Sequence, residues 1–472
     1  MRTSLSRLRI PKPFSRASIL LLILLLSFTT RAFIGQFMSH HLADAQFFQP
    51  GTFAGFHDQA ERMLDGRAPY FWLSEGDSID DIQRCPGYSL WIALIYRVSG
   101  VRSAAAVQSV QWALDAFSVL LVFGIGLTAF GWRTGILAGL LASLSPILAL
   151  YGTWPLADAP ASWFVLAGVW MLLLANKRQS WKWALSAGLM IGASCWMRAN
   201  ALLLLIWWIP ALMLLTRMGW RKAALICAAV LLGGTLALAP IAIRNTVAVK
   251  AFIPVRLGSG TLLWEGIGET ERGAEFGAVA NDAEVIEQER ASMGLAPDAP
   301  LELFSPDGVA RDYERGSKAI AVIRNHPVWF AGVMLRRMWA MIDFNNPAHL
   351  NVTVSLPYAQ HSALLTYTVQ FLGMLQSASS SLYLALMAGG ILLAFRKEWR
   401  TAGLLLATVA YYFVMNSIMH MEHRYNLPLH ALLLVFAGYS LQRLSEILGE
   451  LLLKYREQRL SKSRTHRTEQ NA

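Results

Sequence analysis

Of the 472 residues, 55% are hydrophobic and only 15% are charged, and the mean hydropathy is +0.41. A soluble domain of this size carries about a quarter charged residues, so the composition excludes a soluble globular protein and points to an integral membrane protein. The formal charge of +11 does not call for nucleic acid, because the basic residues sit in short loops and tails between apolar stretches, as the positive-inside rule describes.

The N-terminus carries Arg2, Arg7, Arg9, Lys12 and Arg16 ahead of an apolar run from Ala17 to Thr30. Ala43-Asp44-Ala45 mimics a cleavage site, but it lies too far beyond that run for a signal peptide, so an uncleaved signal-anchor is expected. A spanning helix needs about 20 apolar residues. That measure predicts ten spans: 17–38, 104–128, 133–151, 158–175, 183–198, 199–216, 222–243, 363–395, 401–419 and 427–447. Lys177-Arg178 with Lys182, Arg217 with Arg221-Lys222, Arg396-Lys397 with Arg400, and the tail from Lys454 to Arg467 then all fall on the N-terminal side. The expected organisation is an N-terminal membrane module, 1–243, a second outer loop, 244–362, C-terminal membrane helices, 363–450, and a basic cytoplasmic tail, 451–472.

Two long segments face the other side. The first, 39–103, contains the apolar stretch Tyr88–Tyr96, too short to cross and expected to lie in the interface. The second, 244–362, is acidic from Glu265 to Glu314 and contains a similar stretch, His326–Met341. Long ordered loops over a helical bundle are where binding and catalysis usually sit. Cys85, Cys195 and Cys227 have no metal-binding spacing, and Cys195 and Cys227, inside apolar segments, are read as packing residues. There is no Walker loop, dinucleotide fingerprint or nucleophile elbow, and the Asn351-Val352-Thr353 sequon is a common accidental match.

Asp58 is the first candidate for chemistry. Asp58-Gln59-Ala60-Glu61 fits a capping box that opens a helix; the functional reading makes Asp58 a general base toward an acceptor hydroxyl or amine. Asp158, on the same side, has a routine explanation as a helix N-cap, yet it also sits where a polar cavity with Asp58 would form. Arg84, Arg198, Arg244 and Arg424 stand on the acidic face, against the positive-inside trend. Each taken alone snorkels to headgroups; together they suit a phosphate leaving group. In the polar run from His420 to Pro428, His420 and His423 with Glu422 have the makings of a metal site, though His423 and Arg424 fit phosphate or sugar ligands better.

Several of these segments form an ordered series: His57-Asp58 with Ala60 and Leu64-Asp65-Gly66, Arg84-Cys85-Pro86-Gly87-Tyr88, Ser145-Pro146, Asp158, Arg198, Pro240 with Arg244-Asn245, His326-Pro327, and Arg424-Tyr425 with Leu427-Pro428. The series resembles the integral-membrane GT-C glycosyltransferases, in the bacterial branch related to protein O-mannosyltransferases and the lipid A aminoarabinose transferase. The resemblance implies an all-α polytopic GT-C fold of about ten transmembrane helices, with two long outer loops carrying interfacial helices. It implies an inverting transfer of sugar from a polyprenyl-phosphate donor to a lipid, glycan or protein acceptor at the periplasmic face of a bacterial inner membrane. Asp58 and Asp158 would then be catalytic, and Arg84, Arg198, Arg244, Glu265, His423, Arg424 and Tyr425 would bind donor phosphate or substrate. No soluble cofactor is implied; a divalent metal stays open, because relatives with an Asp-Glu pair differ from Asp58-Gln59 here. Cys85 also replaces the first proline of an Arg-Pro-Pro-Gly-Tyr motif. The alternatives are a lipid or sugar transporter or flippase, which the absence of a repeat disfavours, and an O-antigen-ligase-like polymerase, which the acidic 265–314 stretch fits poorly.

Overall fold

The computed structural model describes residues 15–43, 48, 50–66, 80–342, 363–420 and 422–469. Arg2 to Lys12, Asp44-Ala45 and the Asn351 sequon lie outside them. Among the described residues the regular structure is helical, with no strand.

Helix α1 (Arg16–Ser39) starts where the Ser15 hydroxyl accepts the Ser18 N–H at 3.1 Å, an N-cap that satisfies one orphan donor. Next come α2 (Pro50–Leu64), the one-turn α3 (Asp80–Gln83) and α4 (Pro86–Ser99). Pro86 sits in the first turn of α4, and Gly100 closes it in the left-handed region at φ 72°, where a side chain would be strained. α5 (Ala104–Asp115) and α6 (Ser118–Phe130) together supply a 27-residue apolar run. Asp115, at the end of α5, accepts from the fully buried Arg31 of α1 at 2.5 Å and from Trp163 Nε1 at 2.5 Å.

Helices α7 (Trp132–Leu144) and α8 (Pro146–Thr153) meet at a 57° bend. Pro146 has no N–H to continue α7, and Ser145, extended, caps α8 instead. α9 (Asp158–Arg178), α10 (Trp181–Met197), α11 (Leu204–Leu215) and α12 (Trp220–Val249) complete the first bundle. α10 packs against α9 and α12. Its contact with α12 needs small residues: a Cβ on Gly188 would collide with the Val230 carbonyl, the close approach that glycine permits between membrane helices.

Over the end of the bundle lies a cap made of α13 (Ser259–Gly268), α14 (Asp282–Ser292), α15 (Gly308–Asn325) and α16 (Pro327–Ile342). It has its own small core, including Ile253, Trp264, Ile267, Val285 and Phe304. Buried Asp312 of α15 accepts the N–H groups of Gly258 and Gly260 at 3.2 Å and both the N–H and the hydroxyl of Thr261 at 2.8 Å. Glu289 of α14 is held between Arg311 and Arg315. α17 (Ala363–Ile418) and α18 (Leu427–Glu469) then return to the bundle, with a break at Glu398 inside α17.

Six helices among the described residues are long and apolar enough to cross a membrane, or seven if the bent α7–α8 pair is one span. The ten expected spans differ for identifiable reasons. α10 has 17 residues, and 199–216 is a 3-10 turn followed by the 12-residue α11. The segments 363–395 and 401–419 are two helices that meet at a break at Glu398, where φ is −136° and ψ 46°, and they count as one among the six. The two short apolar stretches are α4 and α16, each with one buried face and one exposed apolar face; Leu94 and Val98 are exposed on α4, and Val328, Leu335 and Trp339 on α16.

The expected capping box is overturned. α2 begins at Pro50, a residue suited to a first helical turn, so Asp58 lies inside the helix and caps nothing. Gln59 is structural: the buried Ser89 hydroxyl donates to its Oε1 at 2.6 Å and ties α4 to α2. Asp158 is likewise not the N-cap of α9; that position is Ala157, and the Asp158 side chain is turned elsewhere.

Candidate active site at the end of the bundle

Four helix ends and the cap converge on one polar cavity of about 280 Å³. From α2 come Thr52 and Phe56. Arg84 precedes the extended Cys85 and Pro86, so its side chain leaves the start of α4 and lies 4.8 Å from the centroid of the Phe56 ring. Gly55 makes room for it, since a Cβ there would collide with the guanidinium. Arg198 ends α10 in an extended conformation, φ −157° and ψ 132°. It donates to Asp158 Oδ1 at 2.6 Å and stacks 3.7 Å from the centroid of the Tyr425 ring.

Arg424 and Tyr425 come from the 3-10 turn His423–Asn426 before α18. Arg424 donates to Glu422 at 2.8 Å and stands 3.8 Å from Asp158 Oδ2. The Tyr425 hydroxyl donates to the same Glu422 oxygen at 3.0 Å. His420 lies between Glu269 and Glu422. Burial disfavours its charged form, but the hydrogen bonds to Glu269 and then Glu422 outweigh burial and lift His420 to about 11. Burial also acts against ionised Glu422, yet His420 and Arg424 hold it well below the usual carboxylate range.

The cap supplies Arg256, Thr261, Glu265 and Asp282. Thr261 and Glu265 are four residues apart on α13 and so share a face. The helix is fixed there by the Leu262 carbonyl, which accepts the His420 N–H at 3.1 Å, and by Arg337 of α16, which donates to the carbonyls of Gly266, Ser417 and Met419. Burial, then contact with Asp282, pushes Glu265 up to about 8.

Two of the four arginines are neutralised and two are not. Arg198 and Arg424 share Asp158, and Arg424 also has Glu422. Arg84 rests on the Phe56 ring and Arg256 donates to the Leu257 carbonyl; among the described residues no ion pair engages either. Buried or half-buried guanidinium groups without carboxylate partners make an anion site, and phosphate oxygens match their geometry. Arg198, Arg256, Leu262, His420 and Tyr425 also line a second cavity of about 250 Å³. That cavity is mostly apolar beyond them, walled by Leu202, Leu203, Val255, Tyr411, Met415 and Met419, with Asn200, Ser259 and Asn416 among these. A charged chamber thus adjoins a greasy groove across these shared residues.

Arg84, Arg198, Glu265, Arg424 and Tyr425 are brought together as expected. Three other expected residues are not. Asp58 is exposed and lines neither cavity, though it stands close enough to Arg84 to act on it electrostatically. Arg244 is buried within α12, outside both linings, and His423 is half-buried, also outside them. Asp158 lies behind the arginines and orients them rather than facing the cavity. Arg256, His420 and Glu422, which were not among the expected phosphate or substrate ligands, do line the cavity; Arg256 was missed because a single arginine between Val255 and Leu257 carries no motif. Among the described residues, no group of three or more His, Cys, Asp or Glu side chains is placed to hold a metal ion.

Residues 83–243 match the family model of dolichyl-phosphate-mannose-protein mannosyltransferases. That third of the chain contains Arg84, Asp158 and Arg198. No curated protein matches. Among solved structures, the oligosaccharyltransferase of Archaeoglobus fulgidus in its apo form aligns with a TM-score of 0.52 and 13% identity, covering 94% of this chain and 52% of that one. The same enzyme, AglB, in complex with an inhibitory peptide and a dolichol-phosphate aligns with a TM-score of 0.52 and 12% identity, covering 93% and 51%. ArnT from Cupriavidus metallidurans bound to undecaprenyl phosphate gives 0.35 and 12%, covering 90% and 77%. This chain therefore spans about half the length of the archaeal structures. The chain is thus a membrane protein that shares the fold of the archaeal oligosaccharyltransferase, and its residues 83–243 are similar to the dolichyl-phosphate-mannose-protein mannosyltransferases.

Proposed function

We propose that the chain is an inverting glycosyltransferase that moves a sugar from a polyprenyl-phosphate carrier to an acceptor at the non-cytoplasmic face of a bacterial inner membrane. The observation that carries this reading is the pairing of Arg84 and Arg256, free of ion pairs among the described residues, with a mostly apolar groove that adjoins the same chamber. An amphiphile with an anionic head and an isoprenoid tail fits both halves at once. The phosphate meets Arg84 and Arg256, and Arg198 and Arg424, held by Asp158, add to the field. These cations stabilise the charge that grows on the phosphate as the sugar C1–O bond breaks. AglB was solved with a dolichol-phosphate, a ligand of the same chemical class.

The proposed face follows from charge. Lys177-Arg178 ends α9 and Asp158 begins it, so the basic loops and the cavity lie at opposite ends of that helix. The positive-inside rule puts the basic end in the cytoplasm.

The test has two arms. Undecaprenyl phosphate is titrated onto the full chain in nanodiscs; R256A and R84A are expected to weaken binding by roughly 10- to 100-fold each, as loss of a charge-assisted phosphate contact costs about 1.5–3 kcal/mol. In parallel, mass spectrometry of the envelope of a deletion strain is expected to show a sugar missing from a lipid, glycan or protein. Unchanged binding in both variants, or an envelope with every sugar in place, overturns the proposal.

A further inference from the structure

A transferase of this kind also needs a proton acceptor when its acceptor is an alcohol, and the cavity holds few carboxyls free to serve. Asp158 is committed to Arg198 and Arg424. Glu422 is committed to His420, Arg424 and Tyr425. Glu269 pairs with His420 and Arg337, and Asp58 lines neither cavity. Glu265 differs from all of these. It is 6% exposed, it lines the cavity, and its Oε1 has no hydrogen-bond partner among the described residues. Its neighbour across the chamber is Asp282, within hydrogen-bond reach and itself exposed at the mouth.

We propose that Glu265 takes the proton from a neutral hydroxyl acceptor, with Asp282 as the positioning residue that holds it and passes the proton to outside water. The inference rests on the transferase reading of the cavity. In the step, the acceptor oxygen bonds to the sugar C1. The C1–O bond to phosphate breaks with its electron pair left on the phosphate, and the acceptor proton moves to the Glu265 carboxylate. The charged groups facing Glu265 are Asp282 from α14, His420 and Glu422 from the turn after α17, Glu269 on its own helix, and Arg84 and Arg256 beyond. Burial and Asp282 place its titration at about 8, near the working pH, where a general base is most effective. The same two carboxyls would repel an acceptor that is already a phosphate, which needs no base. The acceptor class is therefore a sugar, glycerol or side-chain hydroxyl.

The experiment complements the deletion strain with full-length wild type, E265Q or D282N and measures return of the missing sugar in membrane vesicles at about pH 6 to 9.5, a range that brackets the titration of a base near neutrality. The same purified proteins are titrated with undecaprenyl phosphate. Wild type is expected to restore transfer at a rate that rises through about pH 8. E265Q should bind undecaprenyl phosphate as wild type does but transfer about 100- to 10,000-fold more slowly, the range for loss of a general base, and lack the rising limb. D282N should stay active with that limb moved to lower pH, a shift that a merely structural role would not produce. Transfer by E265Q at the wild-type rate and pH profile overturns the inference while leaving the transferase reading intact. So does loss of undecaprenyl phosphate binding by E265Q. A deletion strain with no missing sugar overturns both.

Discussion

The membrane bundle and the outer cap are held together by opposite means. In the bundle, α10 and α12 touch backbone to backbone at Gly188, and large apolar side chains fill the rest. In the cap, the core is small, and two carboxylates do much of the organising: Asp312 gathers three N–H groups and a hydroxyl, and Glu289 draws Arg311 and Arg315 together. The difference follows from the surroundings. Lipid offers helices no hydrophobic gain on pairing, so close fit decides. A thin cap over water cannot bury enough apolar area and relies on polar groups that must all be satisfied. The candidate active site lies on the seam, which lets it combine a greasy groove with a fixed set of charges.

The largest effect is expected from G188L, which forces α10 off α12; overpacking a tight interface costs about 1–3 kcal/mol or more, and here the obstacle is backbone. Folded yield after detergent extraction should collapse, and a wild-type melting curve would contradict close packing as the bundle's organising contact. D312A is expected to act locally. Each orphaned buried donor costs about 1–3 kcal/mol, so hydrogen exchange should quicken in α13 and α15 while α9, α10 and α12 keep their protection. Uniform protection would mean the cap does not depend on Asp312.

The smallest effect concerns pH. His420 titrates at about 11 against an ordinary 6.5. A raised base stabilises the fold fully below its unfolded value and loses that contribution as pH rises through its folded value. H420A should therefore be less stable than wild type, by about 1.5–3 kcal/mol for charge-assisted bonds. The gap should narrow as pH rises above the ordinary value of 6.5 and close as pH approaches about 11. A gap already closed by about pH 7 would show an unpaired imidazole with an ordinary titration.

Much of the site was legible because arginines on the acidic face break a strong rule. Arg84, Arg198 and Arg424 stood out for that reason, and all three line the cavity. Arg244 broke the same rule, yet it is buried in α12 away from the cavity, since charge alone does not say which face of a helix a residue occupies. The capping reading of Asp58 failed because two helix-start signals compete within nine residues, and Pro50 prevails over the Asp58–Glu61 pattern. Among the spans, Ser145-Pro146 was visible as a motif but not as a bend, because proline predicts a break without predicting its angle. The break at Glu398 did have a marker, since it falls in the basic run Arg396-Lys397 with Arg400 that separates two expected spans.

The ion pair between Arg31 and Asp115 bears on how the chain is made. The partners are 84 residues apart in sequence, and Arg31 is fully buried. A ribosome delivers α1 long before α5, and an unpaired guanidinium is costly at membrane depth. During synthesis α1 must therefore wait near water, headgroups or an insertion channel until Asp115 emerges. Its final seating is an event of the whole N-terminal half, timed by the arrival of one carboxylate.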